Sequence, residues 1–194
     1  MKKGTIAIIA IVAIAVIYGV SAYNGMVSDQ DSATTALANV QSAYQRRADL
    51  IPNLVETVKG YAKHEEETFK SVVEARAKAT QITLDPTNLT PEKLQEFQKA
   101  QGALGSALGK LIAVQENYPE LKANENFKDL QVQLEGTENR INEARNKYNA
   151  VVQTYNTSIR SFPKNLFAGM FGFDKMNKFE AEAAAQSAPK VSFD

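Results

Sequence analysis

The chain has 194 residues with 22 Lys plus Arg against 22 Asp plus Glu, so its formal net charge is zero. That balance argues against a nucleic-acid binder, which needs a basic face to displace counterions. The absence of Cys excludes disulfide frameworks, thiolate metal sites, thiol catalysis and a lipidated N-terminal cysteine.

The N-terminus reads MKKGTIAIIAIVAIAVIYGVSAYNG, with no charged or amide side chain from Thr5 to Val20. Gly4 to Tyr23 would span about 30 Å as a helix, the thickness of a bilayer's hydrocarbon core. Lys2 and Lys3 precede the run and no basic residue follows until Arg46. The positive-inside rule therefore predicts a single-pass anchor in the plasma (inner) membrane, with a cytoplasmic N-terminus and the remainder extracytoplasmic. Tyr18 and Tyr23 would mark the far interface. The competing reading is a signal peptide cleaved after Ala22, since Val20-Ser21-Ala22 has small-x-small character. The apolar run exceeds the usual core of such peptides, which favours a retained anchor.

Leu37, Val40, Tyr44, Arg47, Ile51, Leu54, Val58 and Tyr61 then keep one heptad register. The register degrades at Glu65 and Thr68 and resumes at Val72, Ala75, Ala79 and Ile82. It passes through Pro52 without a skip, although proline removes a helical hydrogen bond. The expectation is a kink or tight joint at Arg46, Arg47, Asp49 and Pro52, with Asp49 capping the restarted turn. A full break at Pro52 is the alternative. Arg47, on the seam, is expected to pair with an acidic neighbour or to snorkel.

Pro86 and Pro91 mark a turn, and Thr90-Pro91 is a cap and first-turn pair for a second helix carrying Leu94, Phe97, Leu104, Leu108 and Leu111. Gly102, Gly105 and Gly109 weaken that helix. Their common face suggests the close approach of another helix, or else a hinge. A third helix, capped by Asn124 and stopped by Pro163, steps by seven through Phe127, Leu134, Ile141, Tyr148, Tyr155 and Phe162. A strict period of seven implies left-handed packing on partner helices.

After Pro163, Leu166, Phe167, Met170, Phe171 and Phe173 crowd into a segment too short to span a membrane. Either it folds back as a lid, or it forms, with Phe162, an apolar hook for lipid or a partner protomer. Three helices of equal length would leave this hook far from the bilayer; four segments would return it there. Residues 174–194 are expected to be disordered or frayed. The predicted class is all-α: an N-terminal stub and transmembrane helix over 1–23, then an elongated antiparallel bundle of three to four long helices over 24–173.

No catalytic constellation is present. His64, in KHEEETF, lacks the second histidine of a zinc-protease motif because position 68 is Thr. With Glu65, Glu66 and Glu67 it reads as a solvated charged face. No phosphate loop, nucleophile elbow or dinucleotide fingerprint occurs. No cofactor, metal or small-molecule substrate is expected.

YNGMV (23–27), QRRADLIPNLVETVKGYAKHE (45–65), YPELKANENFKDLQ (118–131) and the long block from Leu134 to Phe173 resemble the LemA family of bacterial proteins. The resemblance covers about residues 20–173. It implies an N-terminal anchor, a bundle of long helices and no catalytic residues. It also implies links to envelope stress, membrane proteases and membrane remodelling, none of which maps onto particular side chains. The expected function is a non-enzymatic scaffold of the cell envelope that self-associates or docks a membrane protein. A membrane-shaping role through the hook is the alternative.

Overall fold

The structure, a computed structural model, describes residues 3–180 apart from the side chain of Thr87. The described residues form six α-helices and no strand. Helix α1 (Lys3–Lys59) runs 57 residues, about 86 Å, from the apolar N-terminus to the far end of the molecule. Helix α2 (Glu66–Gln81) returns, α3 (Pro91–Ala113) runs outward again, and α5 (Glu125–Arg160) comes back along α1. The short α4 (Pro119–Ala123) joins α3 to α5, and α6 (Lys164–Phe171) closes the near end. Thr90 Oγ1 accepts from the Lys93 amide and Asn124 Oδ1 from the Phe127 amide, so both expected caps form.

The alternative of a full break at Pro52 is excluded. Helix α1 passes through Pro52 uninterrupted, and the chain turns between Gly60 and Glu65, where the heptad register weakens. Asp49 caps nothing; it accepts from Gln45 one turn earlier, at 2.8 Å. Proline at position 52 leaves the Ala48 carbonyl without its helical donor, because that donor would be the missing amide four residues on. Arg76 of α2 supplies the bond from Nε at 2.8 Å. The defect in α1 is thereby converted into a tie between helices.

Of the six heptad positions of the third predicted helix, Phe127, Leu134, Ile141, Tyr148 and Tyr155 are buried. The sixth, Phe162, lies beyond the end of α5 and is exposed. The buried five serve three clusters along the rod. Phe127 and Leu134 pack with Ile51, Leu54, Val58, Val72 and Leu111 at the far end. Ile141 and Tyr148 pack with Leu37, Val40, Tyr44 and Phe97 in the middle. Tyr155 joins Met26, Ile159 and Ala168 at the near end. Burying one such side chain stabilises the fold by about 1.5–3 kcal/mol.

One polar node touches all four long helices. Arg47 of α1, 4% exposed, donates from Nη1 to Glu138 Oε1 of α5 at 2.6 Å and from Nη2 to the side-chain oxygen of Gln101 on α3. Gln101 Nε2 donates in turn to the Ala79 carbonyl of α2 at 3.3 Å. The guanidinium lies over the Tyr44 ring, 5.2 Å from its centroid. The seam arginine thus pairs with an acid, as expected.

Two expectations fail. Gly102, Gly105 and Gly109 meet no close neighbour: a methyl group built on any of them would have nothing within 4 Å. They line an open groove instead of a tight helix contact. The segment expected to fray is held in its first part. Asp174–Glu180 form a strap along α5, with Phe179 buried and Asn149 bonded to both backbone groups of Phe179 at 2.8 and 2.9 Å. Residues 181–194 lie outside the described residues.

Two stability predictions follow from the Pro52 tie and the Arg47 node, both read by denaturant unfolding of the full-length protein in mild detergent. In a double-mutant cycle, Arg76→Ala should destabilise by roughly 1.5 kcal/mol more with Pro52 present than in a Pro52→Ala background, where Ala48 regains its helical donor. Equal effects in the two backgrounds would refute the tie. Glu138→Ala should destabilise by about 3 kcal/mol, because it strands a buried guanidinium that cannot deprotonate. Arg47→Met should lose only about 1–2 kcal/mol, because Glu138, with its side chain 46% exposed, stays hydrated.

Candidate functional site at the membrane-proximal end

The residues singled out as a hook gather at the near end, against the apolar start of α1. Helix α5 ends at Arg160, and the Ser161 carbonyl accepts the Asn165 amide at 2.9 Å, turning the chain into α6 through a cis Phe162–Pro163 bond. Gly172, at φ 74°, adopts the left-handed conformation that ends α6, and the Phe173 amide returns to the Ala168 carbonyl at 3.0 Å.

The two faces of α6 differ. The inward face carries Phe167, Ala168 and Phe171. Phe167 packs on Tyr18 with ring centroids 6.0 Å apart. A methyl group added to Gly19 would lie 3.0 Å from the Phe167 ring, so a glycine there permits the approach. Tyr23 receives Phe171 and Phe173 edge-on at 5.1 and 5.6 Å. Lys164, beside Gly25, donates to Ser158 Oγ at 3.0 Å. The outward face carries Leu166 and Met170, 61% and 74% exposed, and Phe162 in the turn before the helix is 81% exposed. Leu166 and Met170, four apart on the helix, share one apolar face, and Phe162 adds to it from the preceding turn.

The predicted hook is therefore divided between the two readings made of it. Phe167 and Phe173 close over the bundle end, Leu166 and Met170 stand exposed on α6, and Phe162, also exposed, borders a shallow pocket with Tyr18. Pro163 begins the turn between them. The residues they close upon, Tyr18, Gly19 and Tyr23, belong to the helix that is long and apolar enough to cross a membrane, the one candidate span among the described residues.

The candidate joint gathers no site. Arg46, Asp49 and Pro52 are exposed on α1, and Arg47 alone turns inward, to the node described above. His64 is exposed in the turn after α1, and no group of three metal-binding side chains assembles among the described residues. Sequence reasoning missed the strap that follows the hook. Tyr155 donates to the Asp174 carbonyl at 2.9 Å and Tyr148 to the Asn177 carbonyl at 2.8 Å. Burial pushes the Tyr148 phenol up to about 12, so it remains a protonated donor at neutral pH. The available signal was the polar column Asn142, Asn149, Asn156, which shares the period of the seam.

The LemA family model matches residues 36–193. Magnetosome protein MamQ 2 of Paramagnetospirillum magneticum is 28% identical over 182 residues, an alignment covering 85% of this chain and 67% of that protein. Magnetosome protein MamQ of Magnetospirillum gryphiswaldense is 26% identical with the same coverage. Protein LemA of Metamycoplasma hominis is 25% identical over 158 residues, covering 81% of this chain and 68% of its own. With most of its length matched by the family model, the chain belongs to the LemA family.

Proposed function

We propose that the protein is a non-enzymatic scaffold of the bacterial cell envelope, attached to the bilayer at two neighbouring places. The first is the N-terminal half of α1, with Lys2 and Lys3 on the cytoplasmic side and the bundle outside. The second is α6, lying in the interface with its outward stripe in lipid. The observation that carries this reading is the exposure of Leu166 and Met170 on α6 and of Phe162 in the turn before it, beside the helix whose Tyr18, Gly19 and Tyr23 receive Phe167 and Phe171. An isolated stripe of this kind on a soluble surface would be an aggregation liability; beside an anchor it is an interfacial helix. The names of the MamQ relatives connect those proteins to magnetosomes, and membrane shaping by this chain would use the same stripe as its wedge.

A membrane-protein partner, or a second copy, would meet the same apolar residues from the side. The rod above the membrane offers such partners a rigid flank, since α1 continues from the span into the bundle without a joint.

The chain has no Trp, so single replacements report position directly. Met170→Trp and Phe162→Trp in full-length protein reconstituted into vesicles should show blue-shifted emission quenched strongly by lipids brominated near the headgroup. Water-like emission without quenching would rule out interfacial insertion. Blue-shifted emission that brominated lipid fails to quench would indicate a protein partner on the stripe instead.

A further inference from the structure

Beside α6, the start of α1 and the end of α5 border a shallow pocket of about 580 Å³. Its wall changes character along α1: Tyr18 and Phe162 are aromatic, and Asp29, three turns beyond Tyr18, is acidic. Lys164, the first residue of α6, stands between these levels, its Nζ 3.7 Å from where a methyl group on Gly25 would lie. With Gly4–Tyr23 filling the hydrocarbon core, Gly25 is about 3 Å and Asp29 about 9 Å beyond its edge. The headgroup layer on one side of a bilayer is about 5–8 Å deep. Lys164 thus stands at the level of lipid phosphates and Asp29 at the outer margin of the headgroups.

The polar groups here have unspent capacity. Lys164 Nζ donates to Ser158 Oγ at 3.0 Å, and an ammonium has two further hydrogens to give. Ser158 Oγ accepts that bond, and Thr157 Oγ1 accepts from Gln153 Nε2 at 3.3 Å. Neither hydroxyl donates to a described residue, so both keep a free donor at the pocket. Asp29, half-buried, makes no hydrogen bond among the described residues. Lys164 and Asp29 share the pocket without forming an ion pair with each other or with another described residue. A half-buried cation and a half-buried carboxylate, each without a counter-charge, fit a ligand that carries both signs.

We propose that this pocket binds the headgroup of phosphatidylethanolamine. The phosphodiester oxygens accept from the Lys164 ammonium and from the Ser158 and Thr157 hydroxyls, a charge-assisted set. The primary ammonium of the lipid donates to the Asp29 carboxylate one level further out. Tyr18 and Phe162 flank the glycerol end, where the acyl chains descend along α1. The site deepens the interfacial reading of α6 and rests on it, because Lys164 reaches phosphate depth only if α6 lies in the interface. An anionic headgroup brings no cation to Asp29, and the quaternary ammonium of choline has no hydrogen to donate.

Native mass spectrometry of the full-length protein in mild detergent is the test. The protein is titrated with phosphatidylethanolamine, phosphatidylglycerol or phosphatidylcholine of one acyl composition. Phosphatidylethanolamine should bind about fivefold more tightly than either of the others. Lys164→Ala should weaken all three about tenfold, since it removes a charged donor to the phosphate they share. Asp29→Asn should abolish the preference without weakening phosphatidylglycerol, a selective change that loss of the fold would not produce. Equal affinities for the three lipids, or a preference that survives Asp29→Asn, would overturn the site. Displacement of the lipid by inorganic phosphate would also overturn it, by assigning the donors to the free anion. Met170→Trp quenching in vesicles reads the placement of α6 separately: equal affinities with quenching intact would remove the headgroup site alone.

Discussion

A buried guanidinium constrains the rest of this architecture. Heptad seams alone leave register loose, because a slip of one heptad replaces one apolar layer with another of similar size. Arg47 removes that freedom. Its charge is enclosed by helices and compensated only where Glu138 and Gln101 coincide. A slip of α5 against α1 would move the acid about 10 Å and leave the cation in an apolar layer. Fixing Arg47 opposite Glu138 in an antiparallel pair brings Tyr155 opposite Met26 and delivers α6 to Tyr18 and Tyr23. The position of the apolar stripe at the membrane end is thus a consequence of a polar contact in the middle of the rod.

The more unusual sequence blocks acquire physical reasons in the same frame. In RRADLIPNLV the second arginine is the node and the proline opens a carbonyl that Arg76 fills. Both devices link α1 to other helices through groups with directional requirements, where apolar packing alone would tolerate sliding. The block around NKYNAVVQTYN does the corresponding work on α5. Tyr148 and Tyr155 bury their rings toward α1 while their hydroxyls, with the adjacent asparagines, hold the strap. A single helix thereby serves two partners on two faces.

The N-terminal end combines the candidate membrane span with a second apolar surface, and α1 joins both to the bundle as one element. In the proposed arrangement, a change in how α6 sits in the interface is transmitted along a helix without an internal joint. That is a mechanical property, and it suits the proposed action by contact with lipid or neighbouring proteins.

Periodicity and composition by themselves determined the helical class, the apolar N-terminal segment, the caps at Thr90 and Asn124, and the buried seam from Phe127 to Tyr155. These are local properties, set by side chains within a turn or two of one another. The turn at Gly60–Glu65 was legible only as a fading register, and Pro52 drew the expected joint because proline's penalty is local while its remedy, Arg76, lies 24 residues further on. The open face of the α3 glycines was misread for the same reason, since a small residue records that space exists and not what occupies it. Tertiary structure alone decided that the hook divides its faces, that it meets Tyr18 and Tyr23, and that Asp174–Glu180 bind as a strap. Each of these depends on four helices returning the chain to its starting level, a count set by long-range packing that no window of sequence contains.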